Sequence, residues 1–273
     1  MTEKPSDSSL RPVVGVDSSV PSVARVWNYW LGGKDYYPVD REIGDQILQA
    51  IPDMRNMARS IRAFLNRVVT YLAAEEGIRQ FLDIGTGLPT ANNTHEVAQR
   101  AAPESRIVYA DNDPLVLAHA RALLVGTPEG ATDYVDADVR ETDKILREAA
   151  RTLDFTKPVV LMLLGIICFV PDNAEAYAVV KRLVDALPSG SYLVFSHPTN
   201  AIHGAASDRA EQLWNETSEN KILFRSPEEI GRFFQGLELL EPGIVSVSRW
   251  RPDPVDLGVI HDVDEFCGVG YKP

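Results

Sequence analysis

Residues 81–90 read FLDIGTGLPT. An apolar run of Phe81, Leu82 and Ile84 carries one carboxylate, Asp83, and Gly85 and Gly87 follow it. Glycine has no Cβ and tolerates φ > 0, so a strand ending in Asp-x-Gly-x-Gly lets backbone approach a ligand closely. A helical pattern starts near Thr90, and a helix N-terminus offers unpaired N–H groups just beyond the turn. At the opening of a βαβ unit, such a turn is a site for a nucleotide or nucleoside.

Two further strand ends carry acids. Ile107–Ala110 leads into Asp111-Asn112-Asp113-Pro114, and Asp111 lies 28 residues after Asp83. A carboxylate at the end of a second strand is placed to accept hydrogen bonds from a ribose diol. Pro114 suits the first turn of the next helix. The third strand ends in Tyr134-Val135-Asp136-Ala137-Asp138-Val139, where Asp138 and the Val139 N–H can meet an adenine edge. Ligands of open α/β sheets bind at this carboxyl edge, where strand order reverses.

The residue types narrow the nucleoside. A dinucleotide fingerprint wants glycine or alanine where Thr90 stands, and Pro89 precedes it. Asp83 repels a phosphate and attracts an ammonium. A ligand with an amino-acid head, a ribose and an adenine meets all three acids, and S-adenosylmethionine is such a ligand.

The elements that must position these residues alternate. Strands are expected at Gln80–Ile84, Ile107–Ala110, Asp133–Val135, Val159–Leu164 and Tyr192–Ser196, with helices near Asn92–Ala101, Pro114–Val125, Thr142–Arg151 and Ala174–Leu187. Alternation implies right-handed crossovers and a mainly parallel sheet covered on both faces. Residues 227–235 read as helix, and Leu237–Leu240, Ile244–Trp250 and Phe266–Tyr271 as strands with short, antiparallel-type connections. Upstream, Pro38–Ala50 reads as helix. Residues 54–76 repeat Met57, Ile61, Phe64, Leu65, Val68 and Leu72 at helical spacing, with Gly77 as a stop.

The chain resembles the class I S-adenosylmethionine-dependent methyltransferases. More narrowly, it resembles an actinobacterial family of such enzymes that was formerly a domain of unknown function. The segments that carry the resemblance are ARVWNYWLGGKDYYPVDRE (24–42), FLDIGTGLPTANNTHEVAQ (81–99), VYADNDPLVLAHARALL (108–124), FRSPEEIGRFFQGLELLEPG (224–243), WRPD (250–253) and GVGYKP (268–273). It implies a Rossmann-like fold: a mostly parallel seven-stranded sheet with an antiparallel C-terminal strand, plus an N-terminal helical cap. Residues 1–20, rich in Ser, Pro and Asp, read as a disordered or loosely packed tail, with 21–77 the cap or lid and 78–273 the cofactor-binding domain, forming one compact unit with the cap. The implied cofactor contacts are Asp83, Gly85, Thr86, Gly87, Asp111, Asn112, Asp138 and Val139. Leu164 and Gly165 take the place where backbone faces the methionine part and the incoming acceptor. Leu88-Pro89 departs from the superfamily's third glycine but is shared by the narrower family.

The remaining candidates each have a plain alternative. Tyr29, Tyr36 and Tyr37 crowd around Gly32-Gly33 with Trp27 and Trp30, either as a packed cap or as a lid hinged at the glycines. Asn92 and Thr94 read as helix caps. His95 faces either the cofactor or solvent. His197 follows the fifth strand and is a candidate proton acceptor, as Tyr36 and Tyr37 are candidate cleft residues, although a histidine there is more often structural. Cys168 reads as a small buried hydrophobe. Arg55, Arg59 and Arg62 make one polar helix face, expected to be solvated.

Composition sets outer bounds. The net charge of −12 disfavours nonspecific duplex binding, although residues 25–67 carry Arg25, Lys34, Arg41, Arg55, Arg59, Arg62 and Arg67 against five acids. Two distant cysteines give no disulfide framework and no metal site. No signal-like or membrane-length apolar segment is read, so a cytoplasmic protein is expected. The expected activity is methyl transfer to a small-molecule acceptor, with no nucleic-acid or membrane partner; oligomeric state is left open. The rival readings are a non-catalytic binder of S-adenosylmethionine or S-adenosylhomocysteine and, less favoured by Pro89 and Thr90, a nicotinamide-dependent oxidoreductase.

Overall fold

The computed structural model describes residues 17–123, 126–253 and 260–273. Most of the expected N-terminal tail, and the last two residues of the helix expected at Pro114–Val125, lie outside the described residues.

Among the described residues three helices precede the sheet: α1 (Val23–Trp30), α2 (Pro38–Ala50) and α3 (Met54–Ala74). The apolar stripe of α3 is buried throughout, from Met57 to Leu72. Gly77, at φ +69°, turns the chain out of α3 toward the first strand.

The sheet then alternates with helices: β1 (Gln80–Ile84), α4 (Thr94–Ala101), β2 (Arg106–Asp111), α5 (Pro114–Leu123), β3 (Ala131–Asp136), α6 (Thr142–Ala149), β4 (Val160–Leu164), α7 (Asn173–Asp185) and β5 (Tyr192–Pro198). After β5 come α8 (Ala205–Thr217), α9 (Pro227–Gly231), β6 (Glu238–Leu239), β7 (Val245–Ser246) and β8 (Glu265–Tyr271). Strand order is β3-β2-β1-β4-β5-β8-β6, with β7 also on β8. The first five strands are parallel, and β8 runs antiparallel to β5. Strand order reverses between β1 and β4, and their carboxyl ends meet there.

This is the expected α/β architecture with one amendment. Among the described residues the sheet has eight strands, because β6 and β7 share the outer edge of β8 as two short pieces. A turn closed by Gly243 N–H to Leu240 O at 2.9 Å interrupts that edge. The strand expected over Ile244–Trp250 is therefore only Val245–Ser246. The helix α8 lies in a stretch to which no element was assigned from sequence. Its buried side chains are Ser207, Ala210 and Trp214, a weak stripe.

Alternation along each strand divides the core. Phe81, Ile107, Tyr109 and Met162 face a layer that includes α1, α2 and α3. Leu82, Ile84, Val108 and Leu163 face α6 and α7. Asp83, two residues after Phe81, therefore projects toward the cap. Among the described residues no helix is long and apolar enough to cross a membrane.

Candidate functional site

A cavity of about 710 Å³ lies at the carboxyl ends of β1 to β4, beneath the N-terminal helices. Asp83, Gly85, Thr86, Gly87, Asp111, Asn112, Asp138, Val139, Leu164 and Gly165 all line it. Residues scattered over more than eighty positions thus share one concave surface.

Asp83 is the next-to-last residue of β1, at 5% exposure. Its Oδ2 accepts a 2.6 Å hydrogen bond from Thr94 Oγ1, at the first position of α4. Burial pushes the Asp83 carboxyl up to about 6, against the opposing pull of Thr94 and of the Arg62 charge. The cap of α4 is instead Asn93, whose N–H donates to Glu96 at 2.8 Å. Thr94, read as a capping residue, is the group that orients Asp83.

Both turn glycines have positive φ, +79° at Gly85 and +64° at Gly87. A Cβ at Gly85 would stand 2.6 Å from Ile166 Cβ, so β1 and the segment after β4 approach as closely as glycine permits. A Cβ at Gly87 would meet nothing within 4 Å. Gly87 lines the cavity, and the space beside it is open. Leu88 is buried with Ala24, Leu115 and Val116, which anchors the turn from behind.

Asp111 ends β2. Its Oδ2 accepts the Gly87 N–H at 2.9 Å and its Oδ1 the Asp113 N–H at 3.0 Å. Burial raises its carboxyl above the ordinary range, while the Gly87 and Asp113 amides pull it back. Beyond β3, Asp138 accepts from Asn112 Nδ2 at 3.1 Å and lies 3.2 Å from Arg140 Nη1. Arg140 also bonds Glu175 at 3.2 Å and the Phe169 carbonyl at 2.7 Å, tying the third strand end to the segment after β4.

The cap closes the opposite side. Ser22 Oγ donates to Asp113 Oδ2 at 2.6 Å, a direct link from the cap to the sheet edge. Behind it Arg25 Nε meets Asp40 at 2.7 Å, with both side chains buried. Asp40 also accepts the Ser22 and Tyr37 N–H groups at 2.9 and 2.7 Å, which satisfies a charge that burial would otherwise penalise. Arg25 Nη2 donates to the carbonyls of Asp17 and Val20. Asp17 and Val20, expected in the loose tail, therefore line the cavity. Trp27 and Leu31 add apolar surface from α1 and the residue after it.

Three candidate catalytic residues lie away from this lining. His197 is fully buried, with Nδ1 2.8 Å from the Pro198 carbonyl and Nε2 2.8 Å from Arg225 Nη1. Nδ1 therefore carries the proton and Nε2 accepts from the guanidinium. Burial, together with the Arg225 charge, lowers its pKa to about 3. Its ring is spent on structure, stacked near Phe195 and Phe233. Tyr36 packs edge-on against Tyr29 at 5.0 Å, and Tyr37 lies under Arg25. His95 faces neither the cavity nor solvent. Its N–H and Nδ1 both meet Tyr109 OH at 2.8 Å, between α4 and the sheet.

Other residues escaped the sequence reading. Arg62, assigned to a solvated face, lines the cavity beside Asp83. Its one available signal is its place between Ile61 and Leu65 at the margin of the apolar stripe of α3. Glu265, the first residue of β8, is 1% exposed and accepts from Ser196 Oγ at 2.6 Å. A Cβ on Gly165 would lie 3.6 Å from its Oε1. Burial pushes the Glu265 carboxyl up to about 8. No local pattern marks it, because its burial comes from strands paired across the whole chain.

A family model described as S-adenosyl methyltransferase matches residues 11–273. A DUF574 family protein from Streptomyces avermitilis MA-4680 is 44% identical, over 94% of this chain and 99% of that one, with a TM-score of 0.91. A candidate methyltransferase from Thermobifida fusca YX is 40% identical, over 97% and 99% of the two chains, with a TM-score of 0.88. The plantazolicin methyltransferase BpumL, solved with S-adenosylhomocysteine (SAH), shares the fold at 11% identity and a TM-score of 0.51, over 92% and 95%. No curated protein matches the sequence. The chain belongs to the S-adenosyl methyltransferase family, whose cofactor is S-adenosylmethionine.

Proposed function

We propose that this member of the S-adenosyl methyltransferase family methylates a small molecule held at the open end of its cavity. The observation that carries the reading is the convergence of four strand ends on one cavity of about 710 Å³, a size suited to a ligand pair of this kind.

The residues fit S-adenosylmethionine. Asp83 is a buried carboxylate with a neutral donor, Thr94, and no ion-pair partner among the described residues, so it suits the ammonium. The space beside Gly87, which lines the cavity, is open, with no atom within 4 Å of a Cβ placed there. Asp111 suits the ribose diol, since each of its oxygens keeps acceptor capacity after one backbone bond. Asn112, Asp138 and the Val139 N–H suit the adenine edge. Leu164 and Gly165 present backbone to the methionine part.

When bound, the cofactor supplies an electrophilic methyl on a sulfonium. The chain's own part is positioning and the exclusion of water. Asp83 and Asp111 fix the two ends of the cofactor. Ile166 and Phe169 after β4, with Trp27 and Leu31 from the cap, give the acceptor an apolar berth. The cap segment 17–31 acts as a lid, held by the Ser22–Asp113 bond and turning at Gly32, whose φ is +82°. No side chain of the lining is assigned as a general base, because an acceptor that is already nucleophilic needs none. Both cysteines are buried and unpaired, which supports a cytoplasmic setting.

Calorimetry with S-adenosylmethionine, SAH and NAD, followed by a methyl-transfer screen of small-molecule extracts, tests the reading. Binding of the adenosyl ligands and labelling of a small product is expected. Binding of NAD alone would overturn it, and adenosyl binding without transfer to any acceptor would favour the non-catalytic alternative.

A further inference from the structure

Among the described residues four cationic side chains line the cavity: Arg25, Arg62, Arg140 and Lys221. Three are committed to neighbours. Arg25 is paired with Asp40, and Arg140 with Asp138 and Glu175. Lys221 Nζ donates to the carbonyls of Asn215 and Ser218 at 2.6 and 2.9 Å. Arg62 is different. One of its terminal nitrogens, Nη2, donates to the carbonyls of Ala91 and Asn92 at 3.2 and 2.8 Å. Among the described residues no carboxylate lies within ion-pair distance of its guanidinium.

Its surroundings are half-buried, and burial pulls its pKa down, with the nearby Asp83 charge acting the other way. Arg62 and Asp83 line the same end of the cavity, and both also border a smaller recess behind Thr86 and Gly87. A cation and an anion thus face one space without neutralising each other. The complement of that arrangement is a zwitterion, with its ammonium toward Asp83 and its carboxylate toward Arg62. A guanidinium keeps several N–H groups in a planar fork that matches a carboxylate, and a charge-assisted bond of that kind is strong in a partly buried site. The two carbonyl contacts at Nη2 hold the fork in place and leave Nε and Nη1 for a ligand.

We propose that Arg62 binds the α-carboxylate of the cofactor's amino-acid head, completing with Asp83 a receptor for the whole zwitterion. This rests on the proposed adenosyl site, and its test is separable from the test of that site. Decarboxylated S-adenosylmethionine keeps the adenosine, sulfonium and ammonium and lacks only the carboxylate. By calorimetry, the wild-type protein should bind S-adenosylmethionine roughly 10- to 100-fold more tightly than the decarboxylated form. In Arg62→Met and Arg62→Gln that preference should collapse, with affinity for the decarboxylated ligand nearly unchanged. Equal wild-type affinity for the two ligands would overturn the assignment, and needs no variant to fold. Equal losses for both ligands in the variants would reduce Arg62 to a brace for the 91–92 turn and overturn it too. Failure of the wild type to bind either ligand would instead sink the adenosyl site itself.

Discussion

The amide of Gly87 donates to Asp111 Oδ2 at 2.9 Å, so the carboxylate at the end of β2 holds the glycine turn that follows β1. The two positions are 24 residues apart, one in the turn after β1 and the other at the end of the adjacent parallel strand β2. One carboxylate therefore has two tasks. It fixes the turn in a conformation that keeps space open beside Gly87, and it presents its remaining lone pairs to whatever occupies that space. Asp113, next but one, repeats the pattern toward the cap through Ser22. The glycine turn, the second strand end and the cap form one hydrogen-bonded chain around the cavity.

Asp111→Ala should weaken adenosyl binding by about 1–3 kcal/mol, since it removes buried acceptors for the ribose and frees the turn. Asp111→Asn keeps one oxygen, which either serves the Gly87 amide or the ligand, and should lose less. Titration calorimetry with SAH reads both. Unchanged affinity in the alanine variant would move the ribose contact elsewhere.

The two glycines should fail in different ways. Gly85→Ala sets a Cβ 2.6 Å from Ile166 Cβ at a φ of +79°, so strain and overlap act together. A stability loss of about 2–5 kcal/mol in urea denaturation is expected. Gly87→Ala carries only the backbone strain of φ +64°, about 1–2 kcal/mol, but its methyl enters the cavity. That variant should fold and bind SAH poorly. A well-folded Gly85→Ala beside an unfolded Gly87→Ala would contradict the packing described for the turn.

Adenosyl binding should depend on pH through Asp83. Its carboxyl is pushed up to about 6 by burial, so in the free protein it takes a proton as pH falls through that value. A bound ammonium favours the ionised form. Affinity should therefore be flat above about pH 7 and fall by up to about tenfold for each unit below 6. Asp83→Asn should remove this step between pH 5 and 7 and weaken binding at pH 7. Calorimetry across that range checks it, and a wild-type profile as flat as that of the variant would separate Asp83 from the ammonium.

The strand tips were legible because their residue types are diagnostic on their own. Asp83, the paired glycines and Asp111 lie at the ends of apolar runs and Asp138 just beyond the third strand, and the parallel register then delivers them to one edge. Residues whose placement depends on distant partners were not. His197 stands at the same edge in sequence, yet Arg225, 28 residues later, closes over it. Arg62 shares a spacing with Arg55 and Arg59 that suggests a solvated face, but the sheet edge and cap meet around the last turn of that pattern. The helix α8 has only Ser207, Ala210 and Trp214 to bury, too few large apolar groups for its period to show. The arginine at 25 gave no hint of Asp40, because a buried ion pair has no local signature.

Glu265 should make stability depend on pH above neutrality. Its carboxyl is 1% exposed, receives one side-chain hydrogen bond, from Ser196 Oγ, and is pushed up to about 8 by burial. In the unfolded chain it titrates near the ordinary glutamate value of about 4.3. The folded state thus holds a proton that the unfolded state has released between those two values. Stability contributed by this group is complete below about pH 4.3 and declines as pH rises toward 8, where the native carboxyl ionises as well. The full decline is on the order of 5 kcal/mol. Asp83 adds a loss of the same sign, but only up to about pH 6, so the range from 6.5 to 8.5 isolates Glu265. Neighbouring Cys168 and Cys267 are buried with thiols raised above their usual range, and they stay neutral there. Glu265→Gln retains the shape and the acceptor for Ser196 and has no proton to lose. Its melting temperature should lie nearest the wild type's near pH 4.3, already exceed it at pH 6.5, and exceed it by a margin that widens up to about pH 8. Parallel melting curves for the two proteins over that range would show that the Glu265 carboxyl ionises as freely in the fold as in water.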